Sequence, residues 1–398
     1  MDKAPRVSLI IPMYMCEEFA EGLLNELCGQ DFRDIEIICV VDGSEDRTLE
    51  VAENYAAKDP RIRVFSQEHK GAGAARNLGI TKARGEYLMF PDADDDYTGN
   101  YVSRLYHAVH DNHADMAICQ YESRDHYTGQ ITRFAGYSCL MLPKNKPLAP
   151  LSVKHFIKAV SNVPHNKIFR KELISSGKLS FSETASLNDM FFSTAAVICS
   201  RSVVLVEDHL LTYNFKKNPD SISVNRGFYP DDCITVYREL YDWLTENGLM
   251  HSLRDDYCAK WGADIRGYAR VCSSPEFPED IARALSQEKP WAGMADDELQ
   301  RRSLLYSGVP ERKMRKIRKM LSAGRLPADE TRSLEWQYSF AAAEVRNYSE
   351  IKRILREKYG RDMHARDTYL TARLEQARQA GFSMAVQLVC KKLLNRTG

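Results

Sequence analysis

Short apolar, β-branched runs alternate with segments of helical periodicity over the first 120 residues. The apolar runs predict strands over residues 7–11, 35–41, 62–65, 86–90 and 116–120. The segments between them carry apolar residues three and four positions apart, and they predict helices over residues 17–27, 44–58, 71–83 and 100–112. Strands that alternate with helices are typical of parallel crossovers in a sheet covered on both faces.

The pattern changes after residue 120. It predicts a buried helix over 189–199 and strands over 203–206 and 210–215, and helical patterns dominate beyond residue 226. We therefore expect an α/β domain with a mostly parallel central sheet over residues 1–225 and a mainly helical region over 226–398. We expect the helical region to provide acceptor, oligomer or membrane-surface contacts.

Polar residues follow three of the predicted strands at the point where each strand ends. Tyr14 follows the first strand, Asp42 the second and the acidic turn 92–96 the fourth. In sheets of this kind, ligands bind beyond the carboxyl ends of the strands. The sequence therefore predicts one binding site built from these three loops.

The acidic turn holds four carboxylates within five positions, those of Asp92, Asp94, Asp95 and Asp96. Like charges this close raise one another's pKa, and a bound divalent cation relieves the repulsion. Carboxylate oxygens suit Mg²⁺ or Mn²⁺, which commonly share their site with substrate phosphates. The alternative is a solvated acidic turn that caps the next helix.

The predicted third helix begins with a run of small residues from Gly71 to Asn77. Small residues allow a ligand close to the backbone, and the N-terminus of a helix favours anions. Arg76 in this run offers a charge-assisted contact. Tight packing of an Ala-rich helix is the alternative interpretation.

Composition narrows the classes of protein that fit. The 398 residues balance 55 Lys and Arg against 55 Asp and Glu, which argues against a surface built to hold nucleic acid. Ten cysteines form no C-x-x-C pair, so we expect buried, reduced thiols. Residues 1–6 show no apolar signal segment and no run of about 18 apolar residues occurs, so we expect a cytoplasmic protein.

An ordered set of short motifs resembles the family 2 glycosyltransferases with the GT-A fold, a Rossmann-like α/β architecture. The resemblance extends over roughly the first 225 residues. The matching segments are 7–14, 41–46, 71–77, 85–87, 92–95, 166–173, 188–192, 213–215 and 221–223.

The resemblance implies a donor site for a nucleotide sugar. Pro12 and Tyr14 would lie beside the nucleotide base, and Asp42 would hydrogen-bond a uracil ring. Gly71 and Arg76 would line the donor site.

The resemblance also implies a metal site in the acidic turn. Asp92 would contact the ribose or the metal, and Asp94 would ligate the Mg²⁺ or Mn²⁺ that bridges the diphosphate. Ala93 belongs to the same donor contact, and Asp95 is a further candidate.

Asp189 matches the general base of the family, which takes the proton of the acceptor hydroxyl as that oxygen attacks the anomeric carbon. A plain helix cap is the alternative for Asp189, because an apolar helix follows it. Asn188 is a further candidate, and Asn166 and Lys167 would line the acceptor side or only stabilise their loop.

Three positions depart from the family pattern. Met15 stands where the family usually has Asn, and Val41 where it usually has an acidic residue. Asn188 stands where it usually has Glu. The third departure lies next to the predicted base, so it bears on the tuning of that base or on activity itself.

Taken together, the resemblance implies an inverting glycosyltransferase. It would move a hexose or N-acetylhexosamine from a UDP-sugar to a glycan or lipid-linked acceptor in bacterial surface polysaccharide biosynthesis. One alternative is a nucleotidyltransferase of related architecture, although the Gly-rich loop typical of that class is missing from residues 13–18. Another is a non-catalytic scaffold that retains the fold. The sequence leaves open whether the protein forms a homo-oligomer.

Some histidines and basic segments add weaker candidates. His69, His165 and His209 could contact a metal or phosphate, although surface or core roles are the simpler interpretation. Basic amphipathic helices are predicted around residues 312–319 and 382–394. Such helices either pack with solvated lysines or lie on anionic membranes, which leaves contact with the inner face of a membrane open.

Overall fold

The computed structural model describes most of the chain. The described residues are 4–125, 129–134, 136, 142–215, 227, 229–272, 274, 276–296, 298–299, 308–322 and 328–361. The matching segment 221–223 and the predicted helix 382–394 lie outside them. The chain divides into two compact units, Met1–Val224 and Asn225–Gly398.

One mixed sheet forms the centre of the first unit. Its strands are β1 (Val7–Met13), β2 (Ile35–Asp42), β3 (Ile62–Gln67), β4 (Tyr87–Met89), β5 (Asp96–Tyr97), β6 (Met116–Asp125), β7 (Ile131–Phe134), β8 (Pro147–Leu148), β9 (Lys167–Arg170) and β10 (Val203–Phe215). Among the described residues the strand order is β3-β2-β1-β4-β9-β6-β10-β5, with β7 paired to β6 and β8 to β10.

Helices connect these strands. They are α1 (Glu17–Cys28), α2 (Thr48–Ala56), α3 (Ala72–Lys82), α4 (Tyr101–His110), α5 (Phe156–Ala159), α6 (Lys171–Ser176) and α7 (Met190–Cys199). In α1 the buried residues recur at helical spacing, and they are Ala20, Leu23, Leu24 and Leu27. Burying each leucine contributes about 1.5–3 kcal/mol.

The five strands predicted in the first 120 residues are present, and β1, β2, β3 and β4 pair in parallel. Every residue of β2 is buried, which explains why the strand is one continuous apolar run apart from Glu36 and Asp42. The order of the sheet brings the carboxyl ends of β1, β2 and β4 to one edge. The loops with the predicted polar residues therefore start at a common edge of the sheet.

The sheet contains the short strands β5, β7 and β8, which were not predicted, and it differs from the prediction most at β9 and β10. The four-residue strand β9 lies antiparallel between β4 and β6, and its short length and buried Lys167 hid it from a periodicity argument. The predicted strands 203–206 and 210–215 are one strand, β10. Its exposed residues 207–209 interrupt the apolar pattern where the pairing with β6 shifts register, so the sequence suggested two strands.

Helices dominate the described part of the second unit. They are α8 (Pro230–Glu246), α9 (Met250–Val271), α10 (Phe277–Gln287), α11 (Gly308–Ser322) and α12 (Ala328–Tyr359). Buried aromatic rings pack between them, including Tyr237 stacked on Trp261 with ring centroids 5.5 Å apart. No helix among the described residues combines the length and the apolar character needed to cross a membrane.

A glycine sets how closely α3 approaches the segment 182–188. A Cβ on Gly73 would lie 2.1 Å from the carbonyl oxygen of Ser182 and 3.3 Å from Cβ of Asn188. A backbone oxygen cannot move aside as a flexible side chain can. The contact between α3 and the segment that leads to α7 therefore requires glycine at this position.

Gly73→Ala tests this packing. We expect the free energy of unfolding to fall by about 1–3 kcal/mol because the added methyl group overpacks the contact. The loss should appear even though alanine favours a helix over glycine by about 1 kcal/mol. Urea denaturation followed by circular dichroism measures the difference.

Gly22→Ala is the matched control, because Gly22 lies inside α1 and a Cβ there meets nothing within 4 Å. We expect this substitution to leave the free energy of unfolding unchanged or to raise it by up to about 1 kcal/mol. Equal effects of the two substitutions would contradict the packing argument.

Candidate active site

Asp42 ends β2 and organises the loop that leads into α3. Its carboxylate accepts hydrogen bonds from the backbone N–H groups of Lys70, at 2.8 Å, and Gly71, at 2.7 Å. It also accepts one from Nε2 of Gln67 at 2.7 Å. The carboxylate is buried and largely occupied by this loop, so it fixes the conformation of residues 67–71. Its predicted contact with uracil stays a prediction.

Two glycines near Asp42, Gly43 after β2 and Gly71 before α3, adopt backbone conformations with positive φ. Gly43 has φ 68°, and a Cβ there would lie 2.6 Å from the backbone nitrogen of His69. Gly71 has φ 90°, directly before α3, and a Cβ there would meet nothing within 4 Å. The predicted donor residue Gly71 therefore supplies a backbone conformation that favours glycine, next to open space.

An exposed aromatic pair lies beside Asp42. The rings of Tyr14 and His69 are stacked, with centroids 4.1 Å apart and planes at 29°. Nδ1 of His69 lies 3.1 Å from Oδ2 of Asp42, and the Tyr14 residue is 45% exposed. Pro12 is half-buried in β1, two residues before Tyr14. Flat aromatic faces of this kind are platforms on which nucleic-acid bases stack.

Arg76 joins two loops that are far apart in the sequence. Its Nη2 donates to Oδ1 of Asp92 at 2.6 Å, and its Nη1 donates to Oδ1 of Asn188 at 2.9 Å. The guanidinium also lies over the ring of Phe181, 5.2 Å from the centroid. The residue is 5% exposed, so these contacts are well shielded from water. Arg76 thereby brings the acidic turn and the segment before α7 to the same place.

The side chain of His165 packs against the acidic turn. Its Nδ1 is 3.1 Å from Oδ2 of Asp92 and 3.0 Å from Oδ2 of Asp95. Burial alone would lower the pKa of His165, but the hydrogen bonds and charges of the two carboxylates raise it to about 9. Burial also opposes ionisation of Asp92, yet Arg76 and His165 hold the pKa of that carboxyl well below its usual range. Burial raises the pKa of Asp95.

From the sequence, His165 was a weaker candidate for contact with a metal or phosphate, and a surface or core role was the simpler interpretation. The side chain is 2% exposed, and it contacts two carboxylates of the acidic turn. The one local signal is its position directly before Asn166-Lys167. His209, in contrast, is exposed in β10.

The residues present can hold a divalent cation. Asp92, Asp95 and His165 each offer one ligand atom, and these atoms lie within 4.8 Å of one another. Carboxylate oxygens and imidazole nitrogen are ligands that Mn²⁺ accepts. Asp94 is half-buried outside this group, and its backbone carbonyl accepts a hydrogen bond from Nδ2 of Asn214 at 3.1 Å.

The loop between β4 and β5 is tied to β10. The backbone N–H of Asn214 donates to Oδ1 of Asp95 at 3.0 Å, next to the contact with Asp94. The predicted donor residue Ala93 is partly buried and packs against the core. Both contacts of Asn214 therefore fix the turn that presents the carboxylate of Asp94.

Asp189 is half-buried directly before α7, and its side chain makes no capping hydrogen bond. The alternative of a plain helix cap therefore lacks the bond that defines one. Desolvation raises the pKa of Asp189 to about 6, the charge of Asp92 adds to this rise, and Arg76 and Lys167 oppose it. A left-handed residue, Leu187 at φ 54°, sets the turn that leads into it.

Asn166 and Lys167 form hydrogen bonds with β6 and with the loop that precedes β9. Nδ2 of Asn166 donates to the Cys119 carbonyl at 2.8 Å. Nζ of Lys167 donates to the carbonyls of Ser161 and Val163, at 2.9 and 2.5 Å, and to Oδ1 of Asn166 at 2.7 Å. Both side chains are buried, and these bonds tie the loop 161–166 to β6 and β9.

Comparison with known proteins gives a consistent assignment. The profile of glycosyl transferase family 2 matches residues 8–177. The chain is 34% identical over 309 residues to EpsH of Bacillus subtilis, named as a glycosyltransferase, with 71% of this chain and 87% of EpsH covered. EpsJ of the same organism is 30% identical over 292 residues, with 71% of this chain and 83% of EpsJ covered.

Solved structures show the same fold. The crystal structure of Staphylococcus aureus TarS 1–349 in complex with UDP superposes with a TM-score of 0.60 at 20% identity, and 89% of this chain and 92% of that chain are covered. The predicted α/β sheet with helices on both sides and a helical C-terminal region is thereby confirmed as the GT-A fold. The chain belongs to glycosyl transferase family 2 and is a glycosyltransferase.

Proposed function

We propose that this glycosyltransferase moves a sugar from a nucleotide sugar, a UDP-hexose or UDP-N-acetylhexosamine, to a hydroxyl group of a glycan or lipid-linked acceptor, with inversion. The observation that carries the proposal is the double contact of Arg76 with Asp92 and Asn188. This contact holds Asp92, whose carboxylate is expected to bind the donor or the metal, and Asn188, which precedes the expected base, around one buried guanidinium. The biological process would be bacterial surface polysaccharide biosynthesis.

The relatives support a uridine nucleotide as donor. TarS is named a poly(ribitol-phosphate) β-N-acetylglucosaminyltransferase and is 23% identical to this chain over 342 residues. Its crystal structures contain UDP and UDP-GlcNAc. In this chain the stacked rings of Tyr14 and His69 would take the base, and the open backbone at Gly71 would lie along the diphosphate.

Asp92 and Asp94 would hold Mg²⁺ or Mn²⁺, with Asp95 and His165 as the other residues close enough to contribute. When bound, the cation would neutralise negative charge on the departing nucleoside diphosphate. Arg76 keeps the carboxylate of Asp92 ionised and oriented without any metal, because its guanidinium bonds Oδ1 directly.

Asp189 would act as the general base. A pKa of about 6 leaves the carboxylate ionised at neutral pH, yet basic enough to accept a proton from a hydroxyl group in the transition state. A single displacement assisted by one base inverts the anomeric centre. Membership of the family sets aside the nucleotidyltransferase alternative.

Asp189→Asn tests the base. The substitution keeps the size of the side chain and removes its ability to take a proton, so we expect turnover to fall by about 10²–10⁴-fold. Affinity for the UDP-sugar should stay within about threefold, since the base acts in the transition state rather than in donor binding. UDP release measures turnover, and isothermal titration calorimetry measures donor binding.

Glu183→Gln is the matched control, because it removes an exposed carboxylate from the same segment. Its turnover should equal that of the wild type. Wild-type turnover in Asp189→Asn would eliminate Asp189 as the base, and a wild-type protein that turns over no donor would favour the scaffold alternative.

The pH profile of turnover reports the pKa of the base. We expect turnover to fall as the pH drops through about 6, because only the ionised carboxylate of Asp189 accepts a proton. Asn188→Glu should move the midpoint of the profile to higher pH, since it places a negative charge beside Asp189. A flat profile between pH 5 and pH 7.5, a window of about one unit or more on each side of that midpoint, would contradict this assignment.

Binding of Mn²⁺ separates the two candidate sets of ligands. We expect Asp94→Asn to weaken Mn²⁺ binding in the presence of UDP by at least about tenfold. Asp95→Asn should weaken it less, because Asp95 is 2% exposed and its oxygens already contact Asn214 and His165. Electron paramagnetic resonance of free Mn²⁺ measures the affinity.

The reverse result would assign the metal ion to a different set of ligands. If Asp95→Asn and His165→Gln abolish Mn²⁺ binding while Asp94→Asn leaves it intact, the ligands are the buried group Asp92, Asp95 and His165.

A further inference from the structure

The helix α11 of the second unit concentrates positive charge on its surface. Six cationic side chains occupy the eight positions 312–319, and the only acidic residue of the helix is Glu311. All six residues are exposed. The whole chain has equal numbers of acidic and basic residues, so this charge is a local concentration. The cations are Arg312, Lys313, Arg315, Lys316, Arg318 and Lys319.

The apolar side of α11 is used for packing. Ile317 is 3% exposed and Met314 is half-buried. Arg318 is held against α12, where its guanidinium donates to Oη of Tyr338 and lies 5.5 Å from the centroid of that ring. The helix is therefore anchored inside the second unit, and its described apolar residues, Met314 and Ile317, are used for packing rather than for insertion into a lipid layer.

The remaining cations share one face of the helix. At about 100° per residue, they span an arc of about 160° whose centre lies opposite Met314 and about 120° from Ile317. The arc extends about 10 Å along the helix axis. We name this arc the basic face, and it consists of Arg312, Lys313, Arg315, Lys316 and Lys319.

We propose that the basic face binds the anionic headgroups of a membrane surface by electrostatic attraction, without insertion. Charge complementarity favours this partner, since each Lys or Arg near an anionic leaflet strengthens binding by about fivefold. Proteins that hold single-stranded nucleic acid combine positive charge with aromatic side chains on which the bases stack. Residues 311–322 contain no aromatic residue. Binding needs neither donor nor acceptor, so its failure would leave the proposed sugar transfer untouched.

Vesicle flotation of the full chain tests this proposal. In low salt, the protein should float with vesicles of phosphatidylglycerol and phosphatidylcholine, and it should stay behind with vesicles of phosphatidylcholine alone. Salt at about 0.5 M should release it, because the Debye length falls to about 4 Å and the attraction between the charges is screened. Equal flotation with both vesicle types, or flotation with neither, would overturn the proposal.

A triple variant locates the contact. Lys313→Gln, Arg315→Gln and Lys316→Gln together should weaken binding to the anionic vesicles by about 100-fold. All three residues are exposed, and far-ultraviolet circular dichroism would verify that the variant is folded. The double variant Lys313→Arg and Lys316→Arg keeps the charge and should bind as the wild type does.

The control removes the same number of charges elsewhere. Lys58→Gln, Lys146→Gln and Lys154→Gln together replace three exposed lysines of the first unit. Wild-type binding by this control supports the basic face, and a loss as large as that of the helix variant overturns it. Tight binding of soluble inorganic polyphosphate together with no vesicle binding would replace the membrane by a soluble polyanion as partner, and that result also overturns the proposal.

Discussion

The candidate active site of this protein depends on one buried cation, the guanidinium of Arg76. A buried charge without partners costs several kcal/mol, so the fold must supply acceptors. Those acceptors are Asp92, on the loop after β4, and Asn188, on the segment before α7. Because the two segments lie 16 and 112 positions after Arg76 in the chain, a native Arg76 requires both to be in place. The geometry of the site and the folding of α3 are thus coupled.

The acidic turn shows a second consequence of the same arrangement. Its sequence suggested that four neighbouring carboxylates need a metal ion to relieve their repulsion. The structure supplies cations from the protein itself, since Arg76 bonds one oxygen of Asp92 and His165 lies between Asp92 and Asp95. The turn can therefore form before any metal binds. A cation at this site would serve the charge of the substrate more than the stability of the loop.

The parts of the fold that the sequence predicted are those governed by local pattern. Strands β1 and β2 were recognisable because buried parallel strands are nearly continuous apolar runs. Strand β9 was not, because it contains Lys167, whose burial depends on hydrogen-bond acceptors supplied by residues 161–166. A pattern along the chain cannot show that such acceptors exist. Strand pairing and burial of this kind are properties of the tertiary structure.

The same distinction applies to the candidate site. Asp42, the acidic turn and Asp189 stood in short motifs and could be named from the sequence. His165 was only a weaker candidate, because its contact with the aspartates arises when residue 165 folds against a turn 73 positions earlier in the chain. The stack of Tyr14 on His69 is another contact of this type. Sequence motifs therefore identified residues that define the family, and the structure added the neighbours that hold them.

The neutral side chain of Asn188 is the departure from the family pattern that the structure explains best. Its amide oxygen still accepts the hydrogen bond from Arg76, so the link between the two loops survives without a carboxylate. It adds no negative charge beside Asp189, whose pKa is already raised by burial and by Asp92. A glutamate there would raise that pKa further. Asparagine therefore preserves the geometry of the turn while leaving the proposed base ionised at neutral pH.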